Sequence, residues 1–130
     1  MQTRRRTQPR KIEFRATPAG DLERYVELAG PGEAYAQRCS ERVFRQVAAW
    51  LDDHPAEITS VHAVARAIDA PQTQTYVALE LLGERGIFER AQGRKSWVAP
   101  GYRHATFEHA MVEFYAIIEG CPPEIVIEDL

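Results

Sequence analysis

The stretch Gln72-Thr73-Gln74-Thr75 sets four hydrogen-bonding side chains in succession, with Tyr76 directly behind them and Pro71 in front. A glutamine amide carries a donor and an acceptor side by side and can pair with both groups on the major-groove edge of adenine, while a threonine methyl can meet that of thymine. Some twenty residues on, Arg90, Arg94 and Lys95 surround Gly93, and their cationic tips suit phosphate oxygens, contacts that position a protein on a duplex without reading its sequence. Arg66 adds a further cation ahead of the polar run, and Arg4-Arg5-Arg6 forms a cluster near the N-terminus. Base-edge readout flanked by phosphate grip is the chemistry this set can perform. The polar run contains no lysine or arginine, so guanine readout and phosphate contacts must come from Arg66, Arg90, Arg94 and Lys95. The plainer readings stay open beside it: a solvated helix cap at 72–75, an ordinary surface hairpin at 90–97, and an N-terminal arm that either touches phosphates, binds RNA or serves as a solubilising tail.

Other chemistries find little support. Cys39 and Cys121 are far apart with no paired spacing, which excludes a disulfide framework or a zinc knuckle and reads as reduced, buried thiols. His104, Glu108 and His109 lack the paired i, i+4 histidines of a strong metal site. There is no glycine-rich phosphate loop and no nucleophile elbow, so neither an enzyme activity, a metal nor a cofactor is expected.

The elements that must position these residues follow from spacing. Prolines at 9 and 18 bar a helix from the first eighteen residues, which read as a basic extended arm with a short strand near Lys11 to Arg15. Asp21 caps a predicted short helix through Leu28, with Leu22, Tyr25, Val26 and Leu28 as its apolar side, and Gly30-Pro31-Gly32 ends it. From Glu33 to Asp53 the apolar residues Tyr35, Ala36, Cys39, Val43, Phe44, Val47, Trp50 and Leu51 recur at threes and fours, which predicts one long helix. Ile58 marks a very short strand. Ser60 or Thr59 then caps a helix burying Val61, Val64, Ala65 and Ile68, and a third helix runs from Gln72 to Arg85, with Gly86 placed for a left-handed end. Residues 87–90 and 96–99 flank a glycine-centred turn and read as a hairpin. A last helix over 104–119 carries Phe107, Ala110, Met111, Phe114, Tyr115 and Ile118.

The cadence Leu79-Glu80-Leu81-Leu82-Gly83-Glu84-Arg85-Gly86-Ile87-Phe88-Glu89-Arg90, with Val64-Ala65-Arg66-Ala67-Ile68 before it and Gly93-Arg94-Lys95-Ser96-Trp97 after it, resembles winged-helix transcription regulators of the MarR and ArsR kind. The resemblance implies a mainly α (α+β) fold, a winged helix-turn-helix with N- and C-terminal helical extensions, whose third helix enters the major groove while the wing lies on the backbone. With the prolines and charge of the N-terminal segment and the apolar stripe of the last helix, the chain is expected to divide into a basic arm (1–18), the winged domain with its preceding helices (19–103), and a helix and tail for dimerisation (104–130).

Charge supports an uneven surface. The chain of 130 residues carries −3 overall. Residues 1–15 set Arg4, Arg5, Arg6, Arg10, Lys11 and Arg15 against Glu13, a net +5, while residues 105–130 hold six acids and no lysine or arginine. Such a division suits a protein that offers one face to a polyanion and another to itself. The sequence is thus expected to give a cytoplasmic, homodimeric, sequence-specific binder of double-stranded DNA that regulates transcription and has no membrane segment. The alternative is a winged-helix module that binds another protein within a larger complex.

Overall fold

The computed structural model describes residues 9–30, 32–55, 57–90, 97–98 and 106–120, the side chains of residues 90, 97 and 98 excepted. Over these residues the chain is mixed α+β. It begins with a meander of three antiparallel strands, β1 (Pro9–Ala16), β2 (Leu22–Leu28) and β3 (Ala34–Cys39), with β2 in the centre. Then come α1 (Glu41–Asp53), β4 (Ile58–Thr59), α2 (Val61–Ile68), α3 (Gln72–Glu84), β5 (Glu89–Arg90), β6 (Trp97–Val98) and α4 (Thr106–Ile118). The three short strands form a second antiparallel sheet in the order β4-β6-β5.

The meander corrects the predicted helix at 21–28 and the long helix from Glu33. Asp21 caps no helix: its carbonyl accepts from the Thr17 N–H at 2.9 Å and its own N–H donates to Thr17 Oγ1 at 3.0 Å, closing a turn in which Gly20 takes a φ of +92°. That turn folds β2 back onto β1, and Leu22, Arg24 and Val26 then alternate inward with a period of two. A second turn, in which Leu28 N–H donates to the Glu33 carbonyl and Gly32 has φ of +71°, returns β3 along β2. The helix begins only at Ser40, whose hydroxyl accepts from Val43 N–H at 3.2 Å. The N-terminal extension is therefore a sheet, not helices, and residues of the expected separate arm pair directly with β2.

The sequence expectations for the rest fare better. Ser60 caps α2 by accepting from Ala63 N–H at 3.1 Å, and Asp69 ends it in the left-handed conformation at φ of +56°. Gly86 ends α3 at φ of +77°, where a residue with a Cβ would be strained. The helix ends beside the core, with Ile87 and Phe88 N–H groups donating to the Leu82 carbonyl.

A single buried cluster joins the layers. Phe44 of α1 and Phe114 of α4 meet at a centroid separation of 4.8 Å, and Val64, Val77, Leu79, Leu81, Leu82, Ile87 and Phe88 belong to it, with Leu22 and Cys39 from the sheet. The apolar stripe of α4 is largely consumed here, since Ala110, Met111 and Phe114 are buried. Two polar fixings hold α4 to α1. Asp52 accepts from the Phe107 N–H at 3.3 Å, at the first turn of α4 where helical N–H groups lack partners. One turn from the opposite end, Tyr115 donates its hydroxyl to Glu41 and accepts from Arg45 at 2.6 Å.

The Tyr115 hydroxyl and then Arg45 hold the Glu41 carboxyl below its ordinary range. A depressed carboxylate contributes stability above the pKa of the unfolded chain, about 4.3 for glutamate, and loses it as pH falls through the folded value. Tyr115→Phe is therefore expected to lose less stability than the parent between neutral and acid pH, read as the difference in urea midpoints at the two pH values. An unchanged difference would show that the hydroxyl does not govern Glu41.

Candidate functional site

The corner between α2 and α3 presents part of the polar set to solvent. Asp69, in its left-handed conformation, and Pro71 turn the chain, so that α3 starts at the surface with Gln72 and Thr73 exposed. His62 reaches Gln72, its Nδ1 3.4 Å from Oε1, and Arg66 stands one turn further along the same exposed side of α2. His62 escaped the sequence reading, although its i, i+4 spacing to Arg66 was there to be read. Four side chains thus share this edge: His62, Arg66, Gln72 and Thr73.

The remaining members of the run turn inward. Thr75 is completely buried, and its hydroxyl donates to the Pro71 carbonyl at 3.0 Å. It shares a helix face with Leu79 and Leu82, which are buried in the core. Base contact by Thr75 is withdrawn. Gln74 is half-buried, and its Oε1 accepts from the Ser40 N–H at 2.9 Å, so it ties the start of α3 to the start of α1. That bond occupies the acceptor an adenine contact would use. Tyr76 is half-buried with the Arg24 guanidinium over its ring, 5.1 Å from the centroid. Further along, the buried Val77, Ala78, Leu81 and Leu82 leave α3 a narrow outer strip on which Glu80 and Glu84 stand.

The cations divide likewise. Arg90 lies on β5 with its side chain outside the described residues, and Arg4, Arg5, Arg6, Arg94 and Lys95 also lie outside them. Those of β1 are engaged on the outer face of the sheet. Arg10 pairs with Glu27 at 3.3 Å, Lys11 with Glu13 at 3.6 Å and Arg15 with Glu23 at 3.4 Å, and Arg15 also covers the Tyr25 ring at 4.1 Å. Part of the positive charge of the first fifteen residues is therefore neutralised within the sheet.

Among the described residues no cluster of three or more His, Cys, Asp or Glu side chains could hold a metal ion, and no helix is long and apolar enough to cross a membrane. Cys39 is buried as the sequence suggests, and burial, then the nearby Asp21 carboxylate, pushes its thiol up to about 12. It stays protonated at neutral pH and is a poor nucleophile. Cys121 lies outside the described residues.

Compared with known proteins, the chain matches no family model, no curated protein and no solved structure.

The two glutamines separate by role. Gln74→Ala leaves the Ser40 N–H without its acceptor and is expected to lower stability by about 1–2 kcal/mol, whereas Gln72→Ala should stay within about 0.5 kcal/mol of the parent. Denaturant midpoints at constant m-value decide between them, and equal losses would refute the assignment.

Proposed function

We propose that residues 57–98 form a winged helix-turn-helix and that the chain is a sequence-specific, double-stranded DNA-binding regulator of transcription. The observation that carries the reading is the outward N-terminal edge of α3, where Gln72 and Thr73 stand beside His62 and Arg66 with β5 and β6 following in the chain. A helix end presented beside a cationic hairpin loop is the arrangement by which such domains enter the major groove and grip adjacent phosphates. Gln72 and Thr73 read bases in this proposal, a narrower set than 72–76, while Arg66, Arg90, Arg94 and Lys95 meet phosphates. Arg4, Arg5 and Arg6 extend the grip.

A second reading is favoured by a specific feature. Glu80 and Glu84 on α3 and Glu89 on β5 follow one another away from the polar edge, and carboxylates there repel phosphate. A protein partner with a basic surface would use them, and the domain would then serve as a docking module. Homodimerisation is proposed through the outer face of α4, where Val112 is 64% exposed and Phe107, Met111 and Ala116 line a shallow groove with Arg45. This surface is smaller than the sequence stripe suggests, because the buried members of that stripe are spent inside the subunit.

Fluorescence anisotropy of the full chain on double-stranded genomic fragments tests the DNA reading. Affinity should fall steeply with salt as bound counterions are released. Arg94→Ala with Lys95→Ala should weaken binding to all sequences, and Gln72→Ala should change sequence preference at a cost of about 1–3 kcal/mol for a lost base contact. Weak, salt-insensitive binding would favour the docking module, and an unchanged preference in Gln72→Ala would remove its base contact. For the dimer, sedimentation of the parent should give twice the monomer mass and Val112→Glu a monomer. A parent that sediments as a monomer would overturn the proposed dimer.

A further inference from the structure

Arg24 occupies an inward position of β2, between Leu22 and Val26, and is 7% exposed. Its cross-strand neighbours are Phe14 on β1 and Gln37 on β3. The Nη1–H donates to Gln37 Oε1 at 3.0 Å, and the guanidinium lies over Tyr76. The Nε–H is buried and has no acceptor, and among the described residues no carboxylate comes within 4.0 Å of the guanidinium. Removing a cation from water without a counter-ion is costly, and an arginine is seldom held so unless something pairs with it. With Nη1 engaged by Gln37, the Nε edge remains, which is one of the edges that receives a carboxylate through two parallel bonds.

A cleft of about 460 Å³ opens beside Arg24, between the β1–β2 hairpin and the second half of α3. That volume falls in the range of small-ligand sites, about 300–1,000 Å³. Ile12, Phe14 and Phe88 give it an apolar wall, the half-buried Glu80 also lines it, and Glu84, which pairs with Arg85 at 3.4 Å, and Glu89 stand exposed at its edge. One unsatisfied buried cation, an apolar wall and a rim of carboxylates call for a ligand with three matching parts.

We propose that this cleft binds a small zwitterion, an α-amino acid with an apolar or aromatic side chain. Its carboxylate pairs with Arg24, its side chain lies against Phe14 and Phe88, and its ammonium faces Glu84 and Glu89. Neither a simple apolar acid nor a simple amine satisfies both ends. The cleft is walled by α3, the helix that carries Gln72 and Thr73, yet occupancy is a property of the free protein and stands or falls apart from DNA binding.

Isothermal titration of the full chain with L-phenylalanine and L-leucine, and with phenylacetate and phenethylamine as the one-ended controls, tests the site. Saturable binding of an amino acid is expected, with both controls weaker. Arg24→Met, which keeps an apolar stem on the sheet, should weaken L-phenylalanine about ten- to a hundredfold, the range of a lost charge-assisted bond. Glu84→Gln with Glu89→Gln, at exposed positions that leave the core intact, should weaken L-phenylalanine and leave phenylacetate unchanged. This second variant decides the matter if Arg24→Met does not fold. No saturable binding of either amino acid at millimolar concentration overturns the proposal, as does binding to the glutamine pair with the parent's preference intact.

Discussion

Helix α3 is enclosed by neighbours on most of its circumference, and this enclosure constrains the rest of the molecule. Thr75, Ala78, Leu79 and Leu82 face the packed interior, and Val77 and Leu81 are buried as well, so the helix lacks the one-sided pattern of a surface element. Such all-round burial is tolerable because α1 and α2 close one side while the N-terminal meander, chiefly β3, closes another. What stays open is the N-terminal end of the helix and the narrow strip of Glu80 and Glu84. The polar contacts reinforce that limit: Gln74 is spent on Ser40 and Thr75 on Pro71, so the helix meets solvent mainly through Gln72 and Thr73. A partner meets α3 either at this end or along the narrow strip that carries Glu80 and Glu84.

The same enclosure redistributes charge. A meander that packs one face on α3 has to send its other face to water, and there Arg10, Lys11 and Arg15 meet Glu27, Glu13 and Glu23. Exposed pairs of this kind contribute about 0–1 kcal/mol each, so they do little for stability. Their effect is on the field, because strand pairing fixes acids opposite bases and cancels charge that the linear sequence displays as a basic block. Among the described residues, Arg66 on the exposed side of α2 is a cation near the helix corner with no ion pair.

What the sequence made legible follows from how local the signals are. The capping serine before α2, the threes and fours of α2, α3 and α4, and the glycine after α3 are decided within one or two turns of chain, and each element stands close to where its spacing places it. The meander is decided by partners on different strands, such as Ile12 with Val26 and, at the outer end, Pro9 with Leu28, which lie beyond the reach of any local spacing pattern. Over seven residues, Leu22, Tyr25, Val26 and Leu28 satisfy a helical template, while Leu22, Arg24 and Val26 satisfy a strand template with an arginine in an apolar slot. The arginine hid the strand. Tyr35, Ala36 and Cys39 misled similarly, since an edge strand with an exposed face has no apolar alternation to declare it. Within the site, the inward turn of Thr75 was legible, for it lies four and seven residues before Leu79 and Leu82 on one helical face. The bond from Gln74 to Ser40 was not, because it joins residues 34 apart that neither segment's pattern brings together.

Arg24, the residue that concealed the strand, also fastens the strand to α3 through Tyr76. An apolar side chain in its slot would pack against Tyr76 and the core without desolvating a charge, and buried ion sites are often no less stable when replaced by apolar groups of similar size. The position therefore carries an electrostatic burden that packing alone does not require. Its cation touches Tyr76, four residues after Gln72 on the same helix, and shares its cleft with Glu80 and Glu84. An anion that settles on Arg24 changes the field along that strip of α3 and the energetics of the sheet-to-helix contact at once. The one buried cation described in the sheet thus lies against a residue one helical turn from Gln72, and the enclosure of α3 is what brings the two so near in the chain.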